Sequence, residues 1–493
     1  MRCDLPTPIE PANKTDRPVS SASAIRACSR CRPATCSIGC TLPTVSKLSA
    51  IDARHWISRA PSTEETVVTI ADPTAETTGP NPISRWFWTR PDAEIDADLA
   101  ELRAAGPVFL PEEPVPEEIP LPQGPGGWVI TKHDQIIEMS RTPEDFCSGK
   151  GITLLDAPPA FNEFFSSMIA LDDPRHARLR KLVSAGFTPR MLKRLEDSVQ
   201  DVAGAIVDDV CERGEVDFVV DVAAKLPLKI VCDLMGIPDS ELDFVFEQTN
   251  VILGGGDPEY VSDLGDLMTA GLTAGGNLAQ LMNEVAATKA GGAGEDLTSV
   301  LVNAEVDGEK LTEGELASFF ILLVVAGNET TRNAIAWGLH YLTENPEQRR
   351  IWQDDFEAVA PTAIEEIVRL ASPVTYMRRT ATRDLHFHGV DVAEGDKLAM
   401  FYLAANRDED VFDDPHTFDV LRDPNPHIGF GGPGPHFCLG AHLARREITV
   451  MFRELFDRLP DIEATGEPHR LLSSFIHGVK HLPASFTPVA PRS

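Results

Sequence analysis

A cysteine in a glycine-rich loop is the residue of this sequence with the clearest chemical potential. Residues 428–442 read IGFGGPGPHFCLGAH, with Cys438 near the end. The glycines and prolines before it preclude a helix or a strand. A helical pattern begins at Ala441, so the cysteine precedes a helix N-terminus, whose partial positive charge favours a metal-binding thiolate. A cysteine in such a turn can equally be a small buried hydrophobe, and the loop alone leaves both interpretations open.

An acid beside a hydroxyl follows an apolar run in a second segment. The run Phe319–Ala326 ends at Gly327, and Glu329 and Thr330 come shortly after it. A carboxylate next to a hydroxyl can relay protons through water. We expect Gly327 to weaken the hydrogen-bond ladder of the helix. An ordinary helix that passes from core to solvent has the same pattern, so the pair alone does not establish a function.

Two charged pairs lie at helical spacing. His176 and Arg180 are four residues apart and therefore share one helix face. Glu366 and Arg369 are three residues apart and can form an ion pair. Both patterns are common on solvated helices.

Taken in their order along the chain, these motifs resemble those of the cytochrome P450 family. Phe430, Gly434, His436, Cys438 and Gly440 match the haem-binding loop, whose cysteine thiolate is the axial iron ligand. Phe430 lies one residue farther from Cys438 than in the usual spacing of the family, which leaves the position of its ring open.

The resemblance implies roles for the acid, the hydroxyl and the charged triad. Glu329 is expected to relay protons, and Thr330 to hold dioxygen and its associated water. Glu366, Arg369 and Arg422 match a structural network behind the haem loop, and we expect them to serve folding and haem retention.

Four basic residues match the groups that bind the haem propionates in this family. They are His176, Arg180, Arg379 and His436. Four such groups for two carboxylates is a chemically sensible pairing. The implied cofactor is haem b (iron protoporphyrin IX), and the expected cofactor-binding residues are these four together with Phe430 and Cys438.

Composition limits the partners and the compartment. The chain has 493 residues and a net charge of -32, which repels nucleic acid and anionic membrane surfaces. No apolar run is long enough to span a membrane, and the N-terminus lacks the apolar core of a signal peptide. We therefore expect a cytoplasmic protein that binds no nucleic acid and has no membrane span.

The chain divides into a tail and a body. Residues 1–80 have little hydrophobic periodicity, which predicts a disordered tail or a start assigned too early. Cys28, Cys31, Cys36 and Cys40 are spaced like a small metal knuckle, so a zinc-binding module is an alternative for this part. Residues 81–493 are expected to form the catalytic domain.

The body is predicted to be mainly helical with small sheets, in a single-domain cytochrome P450 fold that holds haem between the long central helix and the cysteine loop. The patterns predict a strand at 128–131, short strands within 384–400, and these helices: 98–105, 191–211, 226–235, 313–344 and 439–459.

The resemblance implies a monooxygenase that inserts one atom of O₂ into a C–H bond. Because the chain contains no flavin or nucleotide fingerprint, electrons are expected from a ferredoxin and a ferredoxin reductase, with docking near Arg445 and Arg446 and a monomeric enzyme. The sequence is most similar to mycobacterial hydroxylases that oxidise the terminal (omega) carbon of methyl-branched lipids. Steroid C26 (side-chain) hydroxylation and terpene-alcohol hydroxylation are alternatives, and a haem-binding sensor or electron carrier is the non-enzymatic one.

The substrate is expected to lie in an apolar distal pocket, which suits a branched alkyl chain. The segments predicted to line it are Ile152–Leu155, Phe161–Phe165, Val251–Leu253 and Phe475–Ile476.

Overall fold

A computed structural model describes most of the body of the chain. The described residues are 80–113, 123–156, 164–165, 167–186, 189–254, 256–262, 264–292, 294–305 and 310–492. The predicted tail with Cys28, Cys31, Cys36 and Cys40 lies outside these residues, and so does the 161–163 part of the predicted pocket lining.

Helices make up most of the described structure. In chain order they are α1 (Asp92–Ala105), α2 (His133–Arg141), α3 (Arg175–Gly186), α4 (Pro189–Val210), α5 (Lys225–Met235), α6 (Leu242–Gly254), α7 (Leu267–Lys289), α8 (Leu297–Asn303), α9 (Glu313–Glu344), α10 (Pro346–Asp354), α11 (Phe356–Ala371), α12 (Tyr402–Ala405) and α13 (Ala441–Arg458). None of these described helices is long and apolar enough to cross a membrane.

The long helix α9 runs through the main hydrophobic core. It begins with a capping box, in which Glu315 N donates to Thr312 Oγ1 and the Glu315 carboxylate accepts from Thr312 N. Buried residues follow one another along nearly its whole length, from Leu316 to Leu342. The predicted weakening at Gly327 does not interrupt the helix, because α9 is continuous through that position. A Cβ at Gly327 would meet only Val231, at an ordinary 3.6 Å.

Short strands form small sheets beside the helical body. The strands are β1 (Val108–Leu110), β2 (Gly127–Ile130), β3 (Phe146–Cys147), β4 (Glu215–Asp217), β5 (Tyr376–Ala381), β6 (Leu385–Phe387), β7 (Val390–Val392), β8 (Lys397–Phe401), β9 (Glu463–Ala464), β10 (His469–Arg470), β11 (Val479–His481) and β12 (Pro483–Ser485).

The largest sheet has the order β1-β2-β8-β5-β3. Strands β2 and β8 are parallel, and its other neighbours are antiparallel. The sheet matters for the site because Arg379 of β5 pairs with Leu398 of β8, so its backbone position is set by a central pair of strands. The other sheets are β4-β12-β9 and the pairs β6-β7 and β10-β11.

Helix α1 is the predicted helix whose start differs most from the structure. It begins at Asp92, six residues before the predicted start at Asp98. The first turn contains Asp92 and Glu94, whose charges favour a helix N-terminus although they carry no apolar periodicity. The prediction relied on periodicity and therefore missed this turn.

Candidate active site

A cavity of about 300 Å³ separates the cysteine loop from the middle of α9. Cys438 borders it on one side, and Ala326, Gly327 and Thr330 border it on the other. Its volume lies in the range of small-molecule and cofactor sites. The cavity is therefore where the predicted oxygen chemistry would take place.

Cys438 faces this cavity, and its side chain is exposed for that reason. Its backbone N–H donates to the carbonyl of Phe430 at 3.0 Å, which closes the loop. Burial raises the pKa of the Cys438 thiol, while the backbone N–H of Gly440 and the charges of Arg180 and Arg445 lower it. The loop and two neighbouring helices thus supply positive partners for a thiolate, and a coordinated metal ion would remove the proton.

The glycines of the loop are needed for contacts with the protein itself. A Cβ at Gly434 would lie 2.0 Å from the carbonyl oxygen of Ser140 in α2, and one at Gly432 would lie 2.5 Å from the Ser140 hydroxyl. Gly431 has a φ of 83°, in the left-handed region that favours glycine. At these positions the close approach is therefore to helix α2 and to the loop's own turn.

The ring of Phe430 borders the cavity despite the unusual spacing. The Arg445 guanidinium lies 4.3 Å from its centroid, and Glu365 holds that guanidinium with a bidentate ion pair at 2.5 and 2.8 Å. Burial opposes ionisation of Glu365, but Arg445 and His427 outweigh it and lower the pKa of the carboxyl to about 2. Arg445 was expected to offer a charge for docking. Glu365 offsets part of this charge, and the docking of a ferredoxin near Arg445 and Arg446 stays a prediction.

The predicted charged triad is assembled behind the loop. Glu366 and Arg369 have fully buried side chains, and Arg369 Nε donates to Glu366 at 2.7 Å. Arg422 Nε reaches the same carboxylate at 3.1 Å. Arg369 also donates to the carbonyls of Asn406 and Pro415, at 2.8 and 2.6 Å. These bonds tie α11 to the segment that leads into the cysteine loop.

Four predicted basic residues meet at one edge of the cavity. His176, Arg180, Arg379 and His436 all border it. The rings of His176 and His436 lie 4.2 Å apart, and His436 is hydrogen-bonded to Ser148 at 3.2 Å. Burial lowers the pKa of His436 to about 3, and the charges of Arg379, His176 and Arg180 act in the same direction. Because these basic groups repel one another, a bound anion would be stabilised at this edge of the cavity.

The predicted acid and hydroxyl lie on different sides of α9. Thr330 borders the cavity and donates to the carbonyl of Ala326 at 2.8 Å. Glu329 is buried and forms an ion pair with Arg332 instead. It is not among the described residues that border the cavity. The structure therefore places the hydroxyl at the cavity and the carboxyl behind it.

Sequence reasoning missed a second buried acid, Glu447 of α13. It borders the cavity, as does Thr331 of α9, and it is 3% exposed. Burial raises its pKa to about 8, although the Thr331 hydroxyl acts in the opposite direction. Its neighbours Arg445 and Arg446 make it look like part of a solvated helix face, so the sequence carried no local signal for it.

The segments predicted to line the distal pocket do not border the cavity in the described part of the chain. Leu154 is instead buried in the core cluster beside the large sheet. Phe475 packs edge-on against Tyr376 at 5.5 Å, and Phe164 and Phe165 lie against Gly275 of α7. Apolar residues from other elements border the cavity: Met168, Ile169, Leu322, Leu323, Val374 and Met377.

Comparison with known proteins gives the family. The model of the cytochrome P450 family matches residues 276–460. A methyl-branched lipid omega-hydroxylase of Mycobacterium tuberculosis is 50% identical over 405 residues, which are 81% of this chain and 93% of that protein. This chain belongs to the cytochrome P450 family.

Other cytochromes P450 are similar over nearly the same length. A steroid C26-monooxygenase of Mycolicibacterium smegmatis is 38% identical over 401 residues, 79% of this chain and 90% of that protein. A solved cytochrome P450 of Mycobacterium marinum, in complex with pseudoionone, is 40% identical with a TM-score of 0.78, covering 83% of this chain and 100% of the other. The predicted P450 fold and monooxygenase activity are thereby confirmed, and the sensor and electron-carrier alternatives are set aside.

Membership of this family implies a haem iron bound by a cysteine thiolate. The residues of the cavity fit such a group. Cys438 supplies the thiol at one wall, and the basic edge matches the carboxylates that a haem carries. The remaining lining is largely apolar, as the face of a porphyrin requires.

Proposed function

We propose that this cytochrome P450 hydroxylates the terminal carbon of methyl-branched lipids, with O₂ and with electrons from a ferredoxin and its reductase. The main support is the 50% identity with a methyl-branched lipid omega-hydroxylase over 93% of that protein. The catalytic domain in this proposal is residues 81–493, and the cofactor is haem b.

The proposed cofactor-binding residues are those at the cavity. Cys438 is the iron ligand, Phe430 packs beside it, and His176, Arg180, Arg379 and His436 bind the propionates. When bound, the haem supplies the activation of dioxygen, and the protein supplies orientation and protons.

Thr330 and Glu329 are the proposed catalytic residues. The Thr330 hydroxyl borders the cavity, so it can hold a water there and pass on a proton. Glu329 lies one residue before it in α9, behind the cavity, and we expect it to pass protons to that water through further water molecules. Both residues act on protons, which must arrive in step with electrons for productive turnover.

The apolar side of the cavity supports a hydrocarbon substrate. Leu322 and Leu323 of α9 face it together with Val374 and Met377 from the segment after α11. A terminal methyl group is harder to oxidise than the tertiary carbon at a branch, so the walls must admit only the chain end. Steroid C26 hydroxylation is the second candidate, supported by relatives that are 38% identical; it too is an attack at the end of a branched alkyl chain.

Product analysis tests this proposal. The purified protein is incubated with a ferredoxin, a reductase, NADH and one lipid at a time: a methyl-branched fatty acid, its linear counterpart or cholest-4-en-3-one. We expect the terminal alcohol of the branched acid as the main product, at a higher kcat/KM than for the other lipids. A preference for the linear acid, or hydroxylation at the branch carbon, would overturn the substrate assignment. A preference for the steroid would support the second candidate.

A further inference from the structure

The carboxyl of Glu329 is held by a chain of buried contacts that reaches a different helix. The side chains of Glu329 and Arg332 are 2% and 3% exposed, and they form a short ion pair within α9. Asn333 donates a second, longer bond to the same oxygen, Glu329 Oε1, at 3.4 Å. Removal of one member of a buried pair leaves an uncompensated charge, so the two groups fix each other.

Helix α6 supplies the next contact. Arg332 donates through its other terminal nitrogen to Asn250 Oδ1 at 3.0 Å. Phe246, one turn earlier in α6, places its ring 5.9 Å from the same guanidinium. The orientation of Arg332, and through it that of Glu329, therefore depends on where α6 lies.

Several polar atoms of the residues in this series of contacts have no hydrogen-bond partner in the part of the chain that the structure describes. Within the described structure, Glu329 Oε2, Arg332 Nε and both polar atoms of the Asn328 amide are buried without a partner. Such atoms are costly to bury and readily bind water or a proton. Oε2 is therefore the carboxyl atom that can exchange a proton while Oε1 is held.

We propose that Asn250 and Arg332 are positioning residues that hold the Glu329 carboxyl and thereby link the position of α6 to proton delivery at Thr330. The inference rests on the proposed role of Glu329. Glu329 takes up a proton at Oε2 from water and gives a proton to the water beside the Thr330 hydroxyl, so that it ends in its starting state. When Asn250 no longer holds Arg332, the carboxyl loses its fixed orientation and delivers protons out of step with electrons.

Four α6 variants test the link. Asn250→Leu removes the acceptor for Arg332 at similar size, and Asn250→Asp restores an acceptor. Asn250→Ala is measured in the same way in case the leucine variant does not fold. Gln248→Leu is the matched control, because Gln248 Oε1 accepts from Asn277 at 2.9 Å and joins α6 to α7 instead.

The first readout is the amount of product formed per reductant oxidised. KM for the lipid substrate is determined in the same experiments. We expect the ratio to fall about tenfold in Asn250→Leu, the change expected when a hydrogen bond to a charged group is lost. KM should stay unchanged, Asn250→Asp should recover most of the ratio, and Gln248→Leu should match the wild type. A wild-type ratio in both Asn250→Leu and Asn250→Ala, or an equal fall in the control, would overturn the proposal.

A second readout needs no turnover. The infrared carboxylate stretching band of Glu329, assigned by its loss in Glu329→Gln, should change in Asn250→Leu and stay unchanged in Gln248→Leu. An unchanged band in Asn250→Leu contradicts the positioning role. If the wild type makes no terminal alcohol from branched lipids, the substrate assignment fails, yet this band still tests the link between α6 and Glu329.

Discussion

Glu447 of α13 and Thr331 of α9 lie together in the wall of the haem cavity, where the Thr331 hydroxyl stabilises the charged form of the Glu447 carboxyl. This interaction joins the helix that follows the cysteine loop to the helix that carries Thr330. Burial makes the neutral carboxyl the preferred form, so the contact depends on pH.

The pH dependence of stability is the first prediction. Burial raises the pKa of Glu447 to about 8, from an ordinary value of 4.5. Because the folded value is above the unfolded one, the stabilisation that it contributes is complete below pH ~4.5 and is lost as pH rises through ~8. The free energy of unfolding of the wild type should therefore fall across this window relative to that of Glu447→Gln, whose amide does not titrate. Parallel pH profiles from denaturant titrations would refute this assignment.

The buried triad behind the haem loop should be essential for stability. Arg369→Met leaves the fully buried Glu366 carboxylate with too few partners, and we expect a loss of about 3–5 kcal/mol in the free energy of unfolding. Arg350→Ala breaks the exposed Arg350–Glu347 pair and serves as the control, with no measurable loss expected. A loss for Arg369→Met no larger than that of the control would show that the triad does not support the fold.

The cysteine loop should not tolerate a side chain where it crosses α2. A Cβ at Gly434 would lie 2.0 Å from a backbone oxygen, so Gly434→Ala should cost about 1–3 kcal/mol of stability and lower the haem content. Gly276→Ala is the control, since no atom lies within 4 Å of its Cβ position in α7. It should leave haem content unchanged and stabilise the helix by up to about 1 kcal/mol. Equal effects of the two changes in thermal unfolding and haem absorbance would count against the close-contact explanation.

Thr330 should control the use of oxygen. Thr330→Ala removes the hydroxyl at this position of the cavity wall. We expect the amount of product per O₂ consumed to fall roughly 10-fold, while the amount of hydrogen peroxide rises. Thr330→Ser keeps the hydroxyl and should retain most of the coupling. Undiminished coupling in Thr330→Ala, measured with an oxygen electrode and a peroxide assay, is incompatible with the proposed role.

The sequence predicted those features that depend on local patterns or on family motifs. The bounds of α9 were correct because its helical pattern, with the apolar run Phe319–Ala326, is a local signal. The meeting of His176, Arg379 and His436 came from motif matching, because these residues belong to separate elements and no local rule joins them. Glu447 was missed, and the ion pair of Arg445 was not foreseen, for one physical reason: their environments include Thr331 and Glu365, which are distant in sequence.

The pocket lining was the least predictable part. An apolar segment in the sequence packs equally well in a core or in a cavity wall, and Leu154 and Phe475 belong to the core beside the large sheet. Only the three-dimensional packing separates these alternatives.

The carbon monoxide spectrum of the reduced protein tests the central claim, that Cys438 binds the haem iron. The wild type and Cys147→Ala, which changes a half-buried cysteine of β3 away from the cavity, should both give the red-shifted Soret band of a thiolate-ligated haem. Cys438→Ala should lose that band. A wild-type protein that binds no haem, or a Cys438→Ala variant that keeps the red-shifted band, would contradict the claim.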